Sequence, residues 1–78
     1  MNEPKLKQLF ADSLRLPLAA ITDDLTYSSI KEWDSIGHMA LIAALDNAFD
    51  IMIDTDDVID MSSFAKAKTI LAKYGVTF

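Results

Sequence analysis

Apolar residues recur every three or four positions in the first part of the chain, which predicts an amphipathic helix there. Four such residues share one face: Leu6, Leu9, Phe10 and Leu14. Asn2 is a candidate N-cap, and Pro4 suits a first helical turn, where its missing N–H costs nothing. Pro17 ends the helix, because the residue before a proline is pushed out of helical geometry.

A second helix is predicted from Ser35 to about Phe49, with Ser35 as its N-cap. At 100° per residue, one stripe forms the core face, flanked by His38 and Ile42; the stripe consists of Leu41, Leu45, Ala48 and Phe49. An apolar strip points the opposite way: Ile36, Met39 and Ala43. This strip is either a partner surface or is covered by the long loop that precedes the helix.

That loop runs from Leu16 to Asp34, where the helical periodicity lapses. A short third helix is predicted from Asp56 to Asp60, and a fourth begins near Ser62 or Ser63 and ends at Gly75. The predicted fold is therefore all-α: a small four-helix bundle of three main helices and one short one, with a long loop between helices 1 and 2. Its predicted core is Leu6, Leu9, Phe10, Leu14, Leu25, Leu41, Leu45, Phe49, Ile53, Phe64, Ala67 and Leu71.

Length and composition limit what such a bundle can be. With 78 residues, 51% of them apolar, the chain suits one folded domain over residues 1–78. It has no cysteine, which excludes disulfides, a thiolate nucleophile and a cysteine-based metal site. No apolar run is long enough to span a bilayer, and the N-terminus lacks the order of a signal peptide, so a cytoplasmic location is expected.

The charges are concentrated in the middle of the chain. Eight acids and no Lys or Arg lie between Glu32 and Ala65, while the whole chain has a net charge of −5. Such a surface repels nucleic acid and anionic membranes, so neither is an expected partner. The acids are either a solvated face, the simpler interpretation, or a docking surface for a basic partner.

The start of the second helix carries the most distinctive motif. A serine there is usually only a cap, yet the N-terminus of a helix also suits a phosphate. The stretch from Glu32 to Ile51, with Asp34, Ser35 and Ile36 opening a helix that ends in Phe49 and Asp50, resembles the attachment motif of the acyl carrier protein family. The resemblance extends over nearly the whole chain, including the long loop and the acidic third helix.

The resemblance implies that a phosphopantetheinyl transferase moves 4'-phosphopantetheine from coenzyme A onto Ser35, with Asp34 and Ile36 as supporting motif residues. The arm then provides the thiol that the sequence lacks, and acyl or aminoacyl groups are carried on it as thioesters. The chain itself is expected to be a monomer, to bind no metal and to catalyse nothing. Loading, acyl-transfer and condensing enzymes with basic patches are the expected partners. The expected docking residues are Ile36, Met39, Ala43, Asp46, Asp50, Asp56, Asp57 and Val58.

Three positions depart from the family's fatty-acid branch. Gly37, Ala40 and Ala48 stand where carriers of fatty acid synthesis usually have acids. The sequence from Trp33 to Met39 is more similar to that of free-standing carriers of specialised pathways, such as polyketide-type carriers. The cargo and the pathway stay open.

Other chemistry fits these residues less well. Ser35 and His38 lie one turn apart on one helix with no oxyanion-hole loop, which disfavours a hydrolase triad with Asp34. A calcium loop counted from Asp54 lacks its glycine and its bidentate glutamate. His38 is interpreted as a core-edge residue or a neighbour of the phosphate, and Trp33 as a loop anchor. The alternative from another class is a non-covalent helical adaptor that binds partners through the apolar strip and the acids.

Overall fold

The computed structural model describes residues 2–78, which form four α-helices around a single hydrophobic core. Helix α1 spans Glu3–Leu14, α2 spans Ser35–Phe49, α3 spans Thr55–Asp60 and α4 spans Phe64–Ala72. No strand occurs in this part of the chain; the closest approach to one is an isolated antiparallel bridge between Thr26 and Ser63. The predicted all-α bundle of three main helices and one short helix is confirmed.

The ends of the helices follow the local sequence closely. Arg15 adopts a left-handed conformation after α1, and Pro17 follows two residues later, so the helix ends as predicted before the proline. Ser63 caps α4 by accepting a hydrogen bond from Lys66 N at 2.9 Å. The predicted end of α4 was too late, because the regular helix stops at Ala72 and turns lead to Gly75, where φ is +90°.

Two N-cap predictions need correction. Asp34, and not Ser35, is the N-cap of α2: its Oδ1 accepts a hydrogen bond from Gly37 N at 2.9 Å. Asn2 stands at the N-cap position of α1, but its side chain makes no capping bond and instead donates to the Thr77 carbonyl at 3.0 Å. That bond ties the start of the chain to its end.

The core is organised around three aromatic rings in edge-to-face contact. Phe10 of α1 meets Trp33 of the long loop at 5.4 Å between ring centroids, and meets Phe64 of α4 at 5.0 Å. Ten of the twelve predicted core residues are buried, while Leu9 and Phe49 are only partly buried. Trp33 is fully buried, which matches its interpretation as a loop anchor.

The long loop is pinned to the bundle at several points, which explains how so small a domain tolerates it. It contains one turn of 3-10 helix over Leu18–Ala20, and Ile21, Leu25 and Trp33 are its buried anchors. The backbone N–H of Phe64 donates to the Leu25 carbonyl, which connects the loop to the start of α4. The loop therefore delivers its last residues to the start of α2 in a defined position.

Candidate functional site

Ser35 is the first helical residue of α2, and it is exposed. Since Asp34 provides the cap, the Ser35 hydroxyl is not used to satisfy the backbone of the helix. The two neighbouring residues therefore have different roles. Asp34 fixes the start of the helix, and Ser35 presents its Oγ at that end. Ile36 follows with 82% of its surface exposed.

Gly37 is required by a close backbone approach. A Cβ at this position would collide with the carbonyl oxygen of Glu32, which belongs to the turn leading into α2. Any side chain at this position, an acid included, would meet the same carbonyl, so the glycine has a local steric cause. The turn from Glu32 to Gly37 is tight, and it fixes the direction in which α2 leaves the loop.

Tyr27 is the side chain that contacts the Ser35 hydroxyl. Its Oη lies 3.2 Å from Ser35 Oγ, within hydrogen-bonding distance. Tyr27 belongs to the long loop and reaches Ser35 because the loop returns beside the start of α2. Sequence analysis missed this residue, since nothing in the spacing of a single tyrosine in a polar stretch indicates such a contact.

His38 lies one turn into α2 and is buried. The Trp33 indole N–H donates to its Nδ1 at 2.9 Å, and its Nε2 lies 2.7 Å from the Val58 carbonyl oxygen. Both ring nitrogens are therefore engaged with groups other than Ser35. In this arrangement His38 cannot act as a base toward the serine, which argues against a hydrolase triad.

A groove of about 320 Å³ opens beside Ser35 between the start of α2 and α3. Its walls are mainly apolar, with the hydroxyls of Tyr27, Ser35 and Ser62 among them; the lining residues are Tyr27, Ser35, His38, Met39, Val58, Ile59, Met61 and Ser62. An exposed serine at a helix start, beside a groove of mixed character, suits a phosphodiester that continues into a chain with apolar and polar parts.

The predicted apolar strip is exposed and is not covered by the loop. Ile36 is 82% exposed and Met39 is 60% exposed, and Ala43 is exposed one turn further along α2. Ile59 of α3 is 73% exposed and stands on the far wall of the groove, although sequence analysis did not include it. The alternative in which these α2 residues belong to the core is therefore wrong.

The predicted docking acids fall into two groups. Asp50 and Asp56 are exposed. Asp46 is half-buried, and its Oδ1 accepts a hydrogen bond from Ile53 N at 3.2 Å, so this carboxylate holds the turn after α2. Val58 is also half-buried. Only part of the predicted set is thus available to a partner.

Asp57 is buried and lies within a hydrogen-bonded cluster. Lys73 donates to its Oδ1 at 2.6 Å, and the Tyr74 hydroxyl donates to its Oδ2 at 2.6 Å. The bond from Lys73, followed by that from Tyr74, lowers the pKa of Asp57, and Asp57 in turn raises the pKa of Lys73. The role expected for Asp57 as a docking acid needs correction, because its charge is neutralised within the bundle.

Tyr74 completes this cluster by accepting a hydrogen bond from Asp54 N at 2.9 Å. That backbone bond lowers the pKa of Tyr74, but the bond to Asp57 and burial outweigh it, so the pKa lies above its usual value. The cluster connects the start and the middle of α3, at Asp54 and Asp57, to the two residues that follow α4. It therefore stabilises the wall of the groove opposite Ser35.

Within residues 2–78, no three acidic or histidine side chains are grouped closely enough to hold a metal ion. No helix in that range combines the length and the apolar character that crossing a membrane requires.

Comparison with known families agrees with this geometry. A family model described as the phosphopantetheine attachment site matches residues 4–70, which is most of the chain. A search of curated proteins finds no match to the chain. The matched range contains all but the first residue of α1, the long loop, α2, α3 and most of α4.

Proposed function

The chain belongs to the phosphopantetheine-binding family of carrier proteins, which carry covalently attached 4'-phosphopantetheine, and we propose that Ser35 Oγ is the attachment point. The observation that carries this proposal is the exposed Ser35 hydroxyl at the first position of α2, which the helix does not use as its cap because Asp34 fills that role. The groove beside Ser35 supports the same assignment. Asp34 supports the attachment point by capping α2, and Ile36 lies next to it on the surface.

When bound, the arm supplies a thiol that forms thioesters with acyl or aminoacyl groups. The residues of the chain hold the attachment point at the edge of the bundle, and they raise the effective concentration of the cargo at a partner enzyme. Carrier domains of this family are non-catalytic, and we extend this to the chain over residues 1–78 as one carrier domain. Its partners are a phosphopantetheinyl transferase and biosynthetic enzymes.

We assign partner docking to a surface that surrounds Ser35, called here the docking face and formed by Ile36, Met39, Ala43, Asp50, Asp56 and Ile59. Exposure of these residues on α2, on α3 and just after α2 supports this assignment. Its apolar centre and acidic edge suit a partner with an apolar patch rimmed by Lys and Arg. Asp46 contributes through the turn it holds, and Asp57 and Val58 through the position of α3.

The cargo belongs, in our proposal, to a specialised pathway of acyl, hydroxyacyl or aminoacyl transfer. Support comes from the small residues Gly37, Ala40 and Ala48, which leave the front of α2 less acidic than in carriers of fatty acid synthesis. A partner of fatty acid synthesis that needs acids at those positions would therefore dock weakly.

The alternative function, a non-covalent adaptor, uses the same docking face without an arm. The exposure of Ile36 and Met39 favours a partner surface under either function. The two functions differ in what happens at Ser35, because an adaptor needs no modification there.

The intact mass distinguishes them. After incubation with coenzyme A and a broad-specificity phosphopantetheinyl transferase, the wild-type chain is expected to gain one phosphopantetheine group. Ser35→Ala is expected to gain none, while the control variant Ser62→Ala, which removes another exposed hydroxyl from the same groove, is expected to be modified like the wild type. Modification of Ser35→Ala, or an unmodified wild type, would contradict the proposal.

A further inference from the structure

The Tyr27 hydroxyl lies 3.2 Å from Ser35 Oγ, and both residues line the groove. We propose that Tyr27 is a positioning residue for Ser35: it holds the serine hydroxyl in one orientation before modification and donates a hydrogen bond to the phosphodiester afterwards. The inference rests on the proposed attachment at Ser35. It assigns a role in that reaction to a loop residue outside the Asp34-Ser35-Ile36 motif.

The loop fixes the Tyr27 ring from several directions. The backbone N–H of Tyr27 donates to the Ser62 carbonyl at 2.7 Å, directly beside the bridge between Thr26 and Ser63. The ring packs in T-shaped contacts on His38, at 5.3 Å between centroids, and on Trp33, at 6.2 Å. A tyrosine that is 38% exposed would otherwise be free to turn toward solvent. These contacts place its hydroxyl at the groove before any partner arrives.

The fixed hydroxyl restricts an otherwise mobile nucleophile. An exposed serine side chain has three staggered rotamers, and a hydrogen bond to a held partner selects one of them. During modification a bond forms between Ser35 Oγ and the phosphorus of the pantetheine phosphate. The bond from that phosphorus to the nucleotide half of coenzyme A breaks, and the serine proton passes to the transferase or to water. Tyr27 takes no proton in this step; it orients the oxygen that attacks.

The same contact changes character once Ser35 is esterified. Before modification either hydroxyl can donate to the other. Afterwards Oγ has no proton, so Tyr27 is the donor and the ester or phosphate oxygens are the acceptors. A hydrogen bond to a charged phosphate is stronger than one between two neutral hydroxyls. Tyr27 therefore restrains the base of the arm in the modified protein.

His38 cannot replace Tyr27 in this role, although it also lines the groove. Its Nδ1 accepts from Trp33 and its Nε2 faces the Val58 carbonyl, so neither nitrogen is available to Ser35. Its contribution is to pack against the Tyr27 ring in a T-shaped contact. The hydroxyl of Tyr27 is thus the group whose removal tests the inference.

Tyr27→Phe keeps the ring and removes only the hydroxyl. In steady-state loading with coenzyme A and a broad-specificity transferase, we expect kcat to fall about two- to tenfold, the effect of one hydrogen bond, with KM for the carrier unchanged. We also expect an unchanged melting temperature and a shifted 31P resonance of the phosphodiester in the fully modified variant. Complete modification at long times shows that the attachment residue is intact.

Tyr74→Phe is the matched control, because it removes the hydroxyl of the chain's other tyrosine, which bonds to Asp57 and Asp54 away from Ser35. It is expected to lower the melting temperature, which Tyr27→Phe leaves unchanged, and it therefore serves as the reference for a tyrosine hydroxyl with a structural role. Equal kcat and 31P values for wild type and Tyr27→Phe would overturn the inference and leave the proposed function standing. A lower melting temperature of Tyr27→Phe together with a raised KM would also overturn it, because the hydroxyl would then act through the packing of the loop and not through Ser35. If the wild type were never loaded, both the inference about Tyr27 and the proposed attachment at Ser35 would be wrong.

Discussion

Trp33 donates its indole N–H to His38 Nδ1 at 2.9 Å in the interior of the bundle. Because Nδ1 accepts, the proton of the neutral imidazole is assigned to Nε2, which then donates to the Val58 carbonyl at 2.7 Å. That carbonyl belongs to the last turn of α3 and has no partner within so short a helix. One histidine therefore connects the long loop, α2 and the groove wall formed by α3.

The first prediction concerns this connection. His38→Phe preserves much of the ring volume but leaves the Trp33 N–H and the Val58 carbonyl without partners, and each buried unpaired group costs about 1–3 kcal/mol. Chemical denaturation is expected to show that loss of stability. As a control, Gln8→Ala loses only an exposed bond to Asp12 and is expected to change stability by less than about 0.5 kcal/mol.

Nitrogen NMR of the wild-type imidazole tests the assignment directly. The proton is expected on Nε2, with Nδ1 showing the shift of an unprotonated acceptor. A proton found on Nδ1 would contradict the connection as described, because that nitrogen would then face the Trp33 N–H as a second donor.

The sequence predicted those features that depend on neighbouring positions along the chain. The spacing of Leu6, Phe10 and Leu14 is a local property of a helix, so α1 and its buried face followed from it. The position of Ser35 at the start of α2 was likewise readable from the motif that surrounds it. The choice between Asp34 and Ser35 as cap was not, because either side chain is suited to that role.

Features that depend on the path of the loop could not be predicted from the sequence. The contact between Tyr27 and Ser35 requires the loop to return beside α2, and periodicity carries no information about that path. The burial of Asp57 could not be predicted for a similar reason, since its partners Lys73 and Tyr74 lie beyond the end of α4, 16 and 17 residues further along the chain. Because Asp57 stands next to other acids in the sequence, it was interpreted as an exposed surface residue.

A second prediction separates the docking face from the core. Leu45 is fully buried, so Leu45→Ala is expected to cost about 2–5 kcal/mol through the cavity it leaves. Ile36→Ala and Met39→Ala remove exposed side chains and are expected to change stability by less than about 0.5 kcal/mol. Both are nevertheless expected to raise KM for the carrier in transferase loading. Thermal melts paired with loading assays test this, and unchanged loading of both variants would remove the strip from the docking face.

A third prediction concerns the acidic edge of the docking face. Asp56 is exposed on α3, whereas Glu3 lies on α1 next to Lys68. Asp56→Lys is expected to slow loading by a transferase more than Glu3→Lys does, because it places a like charge against the basic patch of the partner. The difference is expected to shrink as salt screens exposed charges over about 10 Å at 0.1 M. Equal effects at the two positions would show that the acids serve only as a solvated face.

The last prediction follows from the buried pairing of Asp57. Hydrogen bonds from Lys73 and Tyr74 lower the pKa of Asp57 below its ordinary value of 3.8, so the unfolded chain binds the proton first as the pH falls. The stabilisation is therefore complete above the unfolded pKa and is lost as the pH falls through the lower folded pKa.

Urea denaturation of wild type and Asp57→Asn over this acid range measures the effect. The stability difference between the two proteins is expected to be constant from neutral pH down to the ordinary carboxyl range and then to narrow. Asp56→Asn, which changes the exposed neighbour, is the matched control and is expected to run parallel to the wild type. If Asp57→Asn also ran parallel, the Asp57 carboxylate would not be held by Lys73 and Tyr74 in solution. The groove wall opposite Ser35 would then depend on the His38 connection and on apolar packing instead.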